Sequence, residues 1–183
     1  MTFPTQSIIM ETKTKGFVSV MRDAIIEASI ESLRQEGLRF SVNTLSDKMK
    51  ISKKTVYKYF PDKEALATAI YERYYLDVTE QAQKLIAEYT KDSHRGLLRV
   101  YFDTKVMTRS SIFNKYKLNR AVYAYTTEKS DLFWELISDT FNGEKSDTDK
   151  DALRIIVDGS FEKLCNAGAS SDAVIERLAR LLW

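Results

Sequence analysis

The chain has 183 residues, 44% hydrophobic and 30% charged, enough to bury a core for one medium domain or for a small and a medium one. Only 6 glycines and 2 prolines argue against a many-turned β architecture, and no run approaches the roughly 18 to 20 consecutive apolar residues of a membrane span. The net charge of +2 is unremarkable, while the sole cysteine, Cys165, rules out an intrachain disulfide and, with the sole histidine, His94, cannot complete the usual zinc ligand sets.

These features predict a cytoplasmic protein without metal or cofactor. An enzyme is not expected, since there is no phosphate-cradling glycine loop and no nucleophile paired with a plausible base. His94 lies in the turn-like segment KDSHRG, where a surface or helix-cap role is the simpler one.

In chain order, residues 1–16 read as a flexible N-terminal arm without a secretory cleavage pattern. Val18, Met21, Ile25, Ala28 and Leu33 then recur at helical spacing, so a helix is predicted from about Val18 to Glu36, stopped by Gly37. Ser41 or Asn43 can cap a short second helix whose inward face is Val42, Leu45 and Met49. After a tight Lys50–Ile51 connection, Ser52 caps a third helix, KKTVYKYF, with Val56, Tyr59 and Phe60 toward the core. Pro61 ends it, and Asp62 caps a long fourth helix along which Leu66, Ile70, Tyr74, Val78, Gln81 and Leu85 step by three or four. Further helices are predicted near 93–109, 112–117 and 120–141, the last with room for a break at Tyr123 to Thr127. The polar loop NGEKSDTDKD leads to a final pair, 148–167 and 170–183. The fold class is all-α with eight or nine helices. Three parts are expected: the arm, a helix-turn-helix over 17–62, and a helical domain over 63–183.

Charge is unevenly spread. Residues 1–70 hold 11 Lys/Arg against 8 Asp/Glu, a balance of +3, and the stretch from Lys48 to Lys63 holds six lysines against Asp62 alone. Such a run is usually only a solvated face. Here it falls on the second of two short helices joined by a tight turn, the plan of a helix-turn-helix. Lysines on that helix neutralise phosphates, and hydroxyls and helix-end amides fix register against the DNA backbone. The candidate DNA-contacting residues are Ser52, Lys53, Lys54, Thr55, Tyr57, Lys58 and Lys63, with Ser41 and Asn43 at the start of the preceding helix. The bland alternative is a basic surface helix of an unrelated all-α protein.

The run ISKKTVYKYFPDKEAL resembles the DNA-binding signature of TetR/AcrR-type regulators. The matching positions are Ile51, Ser52, Lys53, Thr55, Val56, Tyr57, Tyr59, Phe60, Lys63, Glu64 and Leu66. The likeness extends from about Arg22 to Ala69. It departs from the family pattern at Met49 and Lys50, where a small residue and glycine are usual. A non-glycine residue at a left-handed position costs about 1 kcal/mol or more, so a slightly remodelled turn is expected.

For the rest of the chain the resemblance implies a helical domain that binds a small effector and dimerises through its last two helices. A homodimeric repressor released from its DNA operator by that effector follows. The alternatives are a regulator controlled by protein partners without a ligand, or a helical ligand-binding protein with no role on DNA. Small and apolar residues suit a helical interface, with Ile156, Gly159, Ser160, Leu164, Leu178 and Leu182 the candidates; the same two helices could instead simply close the monomer's core. Tyr101, Phe102, Tyr123, Phe133, Trp134 and Phe161 supply the candidate effector pocket, although aromatics at helical spacing are more often core.

Overall fold

The computed structural model describes residues 6–36, 40–108, 120–143, 145–167 and 171–183, with side chains over 19–35, 40–108, 120–143, 145–163 and 172–183. Among these, eight helices and no strand are found. They are α1 (Gln6–Glu36), α2 (Val42–Met49), α3 (Lys53–Tyr59), α4 (Lys63–Glu88), α5 (Lys91–Met107), α6 (Arg120–Ser138), α7 (Asp147–Ala167) and α8 (Ser171–Leu182). Gly37 and the expected helix at 112–117 lie outside the described residues. So do the side chains of Leu164 and Cys165. No described helix is long and apolar enough to cross a membrane.

The first helix differs from expectation at its start. Residues 6–16, expected as part of a loose arm, carry helical backbone continuous with the packed part of α1. Gln6, Met10, Glu11, Lys13 and Lys15 are good helix formers, and Gly16 alone costs about 1 kcal/mol, which a helix anchored downstream tolerates. That anchor is the face formed by Ile25, Ile26, Ile30 and Leu33, all buried. Ser29 is buried among them and satisfies its hydroxyl by donating to the Ile25 carbonyl at 2.7 Å.

Helix α4 is the central strut. It starts directly after the helix-turn-helix and buries residues from Leu66 to Ala82 against α1, α5 and α6. Two of its tyrosines bridge to other segments: Tyr71 donates to the Met107 carbonyl at 2.9 Å and Tyr75 to the Thr126 carbonyl at 3.2 Å. Helix α5 opens with a capping box in which Thr90 and Ser93 satisfy each other's backbone amides. It packs closely on α4, because a Cβ at Gly96 would come within 3.0 Å of Leu85. Arg73 of α4 also reaches α1, with Nε 3.0 Å from Glu27.

The break allowed for at Tyr123 to Thr127 does not occur. Thr126 and Thr127 both donate their hydroxyls to the Tyr123 carbonyl, at 2.9 and 3.0 Å, so these β-branched residues bond back into α6. Helix α8 lies along α5, tied by Arg95 to Glu176 and by Arg99 to Asp172. Its Ile175, Leu178 and Leu182 are buried within the chain. The buried side chains form one continuous core from Ile25 to Leu182.

Candidate nucleic-acid interface

The geometry of the interface is set by three caps and one turn. Ser41 caps α2: its Oγ accepts from the Thr44 amide at 3.1 Å, and the Ser41 amide donates to the Thr44 hydroxyl at 2.9 Å. Leu45 is fully buried, and half-buried Met49 and Ile51 pack on the same core. The turn then places Lys50 in the left-handed region, φ 54° and ψ 40°. Its amide donates to the Asp47 carbonyl at 3.2 Å, and the Ile51 amide to the Ser46 carbonyl at 3.0 Å. That pair of bonds, with Ile51 packed beneath, is a Schellman motif. The turn therefore keeps its usual form despite the missing glycine, and Lys50 carries the strain.

Ser52 caps α3, accepting from the Thr55 amide at 3.0 Å, and the two hydroxyls lie 2.9 Å apart. On the inner side Val56 and Phe60 are buried, each contributing roughly 1.5 to 3 kcal/mol to holding α3 down. The guanidinium of Arg22 lies 5.2 Å from the Phe60 ring centroid and links α1 to the end of α3. Tyr59, expected to be buried, is only half-buried at the edge of this contact. Asp62 caps α4 through the Ala65 amide at 2.7 Å, so the one acid in the basic run is committed to the fold.

The outer side is cationic. Lys53, Lys54 and Lys58 are exposed, and Tyr57, at 45% exposure, stands among them. Among the described residues, Lys50, Lys53, Lys54 and Lys58 have no carboxylate partner. Lys63 is exposed and lies 3.7 Å from Glu64. Asn43 is exposed on the first turn of α2. The structure thus divides the candidates. Lys53, Lys54, Tyr57 and Lys58 share one open face, whereas the hydroxyls of Ser41, Ser52 and half-buried Thr55 are already engaged in caps. Sequence reasoning left out Lys50, although it lies in the basic run, and Arg22, whose ring contact depends on tertiary packing.

In the larger part of the chain the candidates separate further. Tyr101, Phe133, Trp134 and Phe102 are buried and packed ring to ring. The Tyr101 ring lies 5.2 Å from Trp134 and 6.5 Å from Phe133, and half-buried Phe161 adds its ring 5.4 Å from Phe102. They fill the interior ring against ring. Tyr123 does not join them: it is 54% exposed, because α6 turns it away from the core side that holds Val122 and Thr126. A groove of about 450 Å³ lies between α4 and α6, lined by residues including Tyr75, Leu76, Thr79, Tyr125, Leu132 and Phe133.

The dimer candidates also divide. Ile156 and Gly159 face outward on α7, and a Cβ at Gly159 would meet nothing within 4 Å. Half-buried Ser160 donates to the Ile156 carbonyl at 2.7 Å. Leu178 and Leu182 are buried against the chain's own core, since α8 turns its apolar stripe toward α5. Ile155 on α7 and Leu181 on α8 are the exposed apolar residues instead.

Residues 25–70 match the family model described as bacterial regulatory proteins, tetR family. Two curated relatives from two strains of Mycobacterium tuberculosis, both named as uncharacterised HTH-type transcriptional regulators, are 30% identical over 88 residues, 45% of this chain. The match spans 37% of the length of those relatives. A solved transcriptional regulator of the TetR/AcrR family from Thermobifida fusca shares the fold, with a TM-score of 0.55 at 20% identity, over 88% of this chain and 95% of that one.

Proposed function

We propose that this chain, which belongs to the tetR family of bacterial regulatory proteins, is a transcriptional regulator that binds duplex DNA as a homodimer, with α3 in the major groove. The observation that carries the reading is the two-sidedness of α3. Val56 and Phe60 hold it to the core while Lys53, Lys54, Tyr57 and Lys58 stand open without a carboxylate partner among the described residues. Lysines in that position neutralise phosphates and release counterions, so affinity is strongly salt-dependent.

The homodimer reading is supported by the outer face of α7, where Ile155 is 73% and Ile156 46% exposed beside the open surface over Gly159, with Leu181 62% exposed on α8. An isologous contact through these helices pairs two recognition helices for successive major grooves. Regulation by a small molecule, acting as a release signal for a repressor, is supported by the groove between α4 and α6. Helix α4 follows α3 through Phe60, Pro61 and Asp62 alone, so a ligand wedged beside α4 acts directly on the DNA-reading helix.

Fluorescence anisotropy with labelled duplex DNA at two salt concentrations tests the reading. Binding is expected to weaken steeply with salt. Lys54→Ala leaves one phosphate without its counter-charge and is expected to flatten the salt slope by roughly 1 while the fold is retained. Tyr57→Ala is expected to weaken binding at constant slope. No binding to any duplex at low salt would overturn it.

A further inference from the structure

Helix α5 grips two different parts of the molecule from opposite sides. One side carries Tyr101 and Lys105, four residues apart, and both reach Asp158 of α7: the tyrosine hydroxyl donates at 2.8 Å and the lysine ammonium at 2.8 Å. Between them in sequence, and therefore on the other side of the helix, stands Asp103. Three donors converge on its Oδ2: Arg34 Nε at 3.2 Å, Arg34 Nη2 at 3.0 Å and the Tyr74 hydroxyl at 2.9 Å. The Arg34 guanidinium also lies 5.4 Å from the Tyr74 ring centroid. Arg34 belongs to the last turn of α1, the helix on which α2 packs, with α3 packed in turn on α2, and is 69 residues from Asp103 in sequence.

The head is held to the body by the packing of α1 on α4, and polar ties farther from the α4 axis limit the bending and rotation that this apolar seam still allows. A second attachment off the axis removes that freedom, and the Arg34–Asp103 pair supplies one, with Arg73–Glu27 as a shorter tie between α1 and α4. Because α5 is pinned to α7 on its other side, the head is keyed to the helix that bears the exposed apolar face.

We infer that Asp103 is a positioning residue: through Arg34 it sets the angle of the helix-turn-helix head relative to α7, and so the placement of the two heads on DNA. The consequence for DNA rests on the function proposed above; the angle itself does not.

The test reads the angle without DNA. Spin labels are placed at Asp47→Cys on α2 and Asp151→Cys on α7 in a Cys165→Ser background, and labelled chain is mixed with an excess of unlabelled chain. Electron–electron double resonance then measures the head-to-α7 distance within one chain. The unsubstituted clamp is expected to give one narrow distance. Asp103→Ala is expected to lose it in favour of a broad distribution, and Asp103→Asn, which keeps an acceptor oxygen, to recover part of the narrow peak. Tyr74→Phe removes a donor from the same oxygen and lowers the melting temperature, but it leaves the Arg34 pair and is expected to keep the narrow distance. If Asp103→Ala fails to fold, Arg34→Gln takes its place. A narrow, unchanged distance in both would overturn the inference, as would equal broadening in Tyr74→Phe, which would mark general loosening.

In the same variants, DNA affinity is expected to fall about tenfold if the competent head orientation drops to roughly a tenth of the population, with the salt slope unchanged. A chain that binds no DNA at all but shows the expected distances would defeat the proposed function and uphold the clamp.

Discussion

In the head, ten consecutive residues from Ile51 to Phe60 carry the cap, the core anchors and the outward cations together. In the body, the aromatic cluster is assembled from α5, α6 and α7, and no short stretch of chain contains it. The head's face is set by helical period acting within two turns. The body's interior is set by how three helices rotate against each other. One kind of arrangement is local and survives in the pattern of residues, and the other is decided only by packing.

The strongest way to break that contrast is to truncate the interior. Tyr101 is fully buried, and its hydroxyl is engaged by Asp158. Tyr101→Ala is expected to destabilise the fold by about 3 to 5 kcal/mol in urea unfolding, the range for large aromatic truncations in cores. Tyr123→Ala, from the exposed side of α6, is expected to stay within about 0.5 kcal/mol of the parent. Equal effects at the two positions would mean that the cluster is a loosely filled pocket after all.

The caps are the sharpest case on the legible side. Ser52 has one partner that matters, the Thr55 amide, so Ser52→Ala is expected to cost about 1 kcal/mol, read as a shift of the unfolding midpoint. That effect falls on α3 and is expected to weaken DNA binding as well. Asp62 and Ser41 follow the same rule, and for this reason α2, α3 and α4 start where the sequence puts a cap, whereas Thr90 opens α5 at Lys91, two residues before the expected 93.

What was not legible shares one physical reason. Leu178 and Leu182 form an apolar stripe, and a stripe records that one face avoids water without recording what covers it. Here α5 covers it, leaving Ile155, Ile156 and Leu181 outside. Tyr123 likewise stands apart from the buried rings: its spacing from Phe133 and Trp134 does not reveal that α6 stays unbroken through Thr126 and Thr127 and turns it outward.

A titration probes the seam between α5 and the end of the chain. His94 stacks on Trp183 with centroids 4.5 Å apart, and its buried Nε2 has no hydrogen-bond partner among the described residues. Burial lowers its pKa below the ordinary 6.5, so the folded chain prefers the neutral ring. The unfolded chain then binds the proton first as pH falls. Stability from this site is present above pH 6.5 and is lost as pH drops below it toward the lowered value. Nearby Glu176, held down to about 2 by Arg95 and Arg180, stays charged through that window. Urea unfolding either side of pH 6.5 is expected to show the loss, and His94→Phe, which keeps the ring stack, to remove it.

The smallest expected effect lies in the turn, where head and sequence disagree. Lys50 sits at φ 54°, a conformation that costs a side chain about 1 to 2 kcal/mol and glycine nothing. Glycine also frees the unfolded chain, which takes back about 0.4 to 1 kcal/mol, so Lys50→Gly is expected to stabilise by only about 0.5 kcal/mol. A destabilisation would mean that the left-handed turn is not what joins α2 to α3. The same substitution removes an exposed cation beside α3. If Lys50 meets a phosphate, the salt slope of DNA binding falls by about 0.9 while the fold grows more stable. Stability and affinity moving in opposite directions would explain a lysine at a position that backbone geometry reserves for glycine: the strain in the turn is the cost of one more charge on the DNA-facing surface.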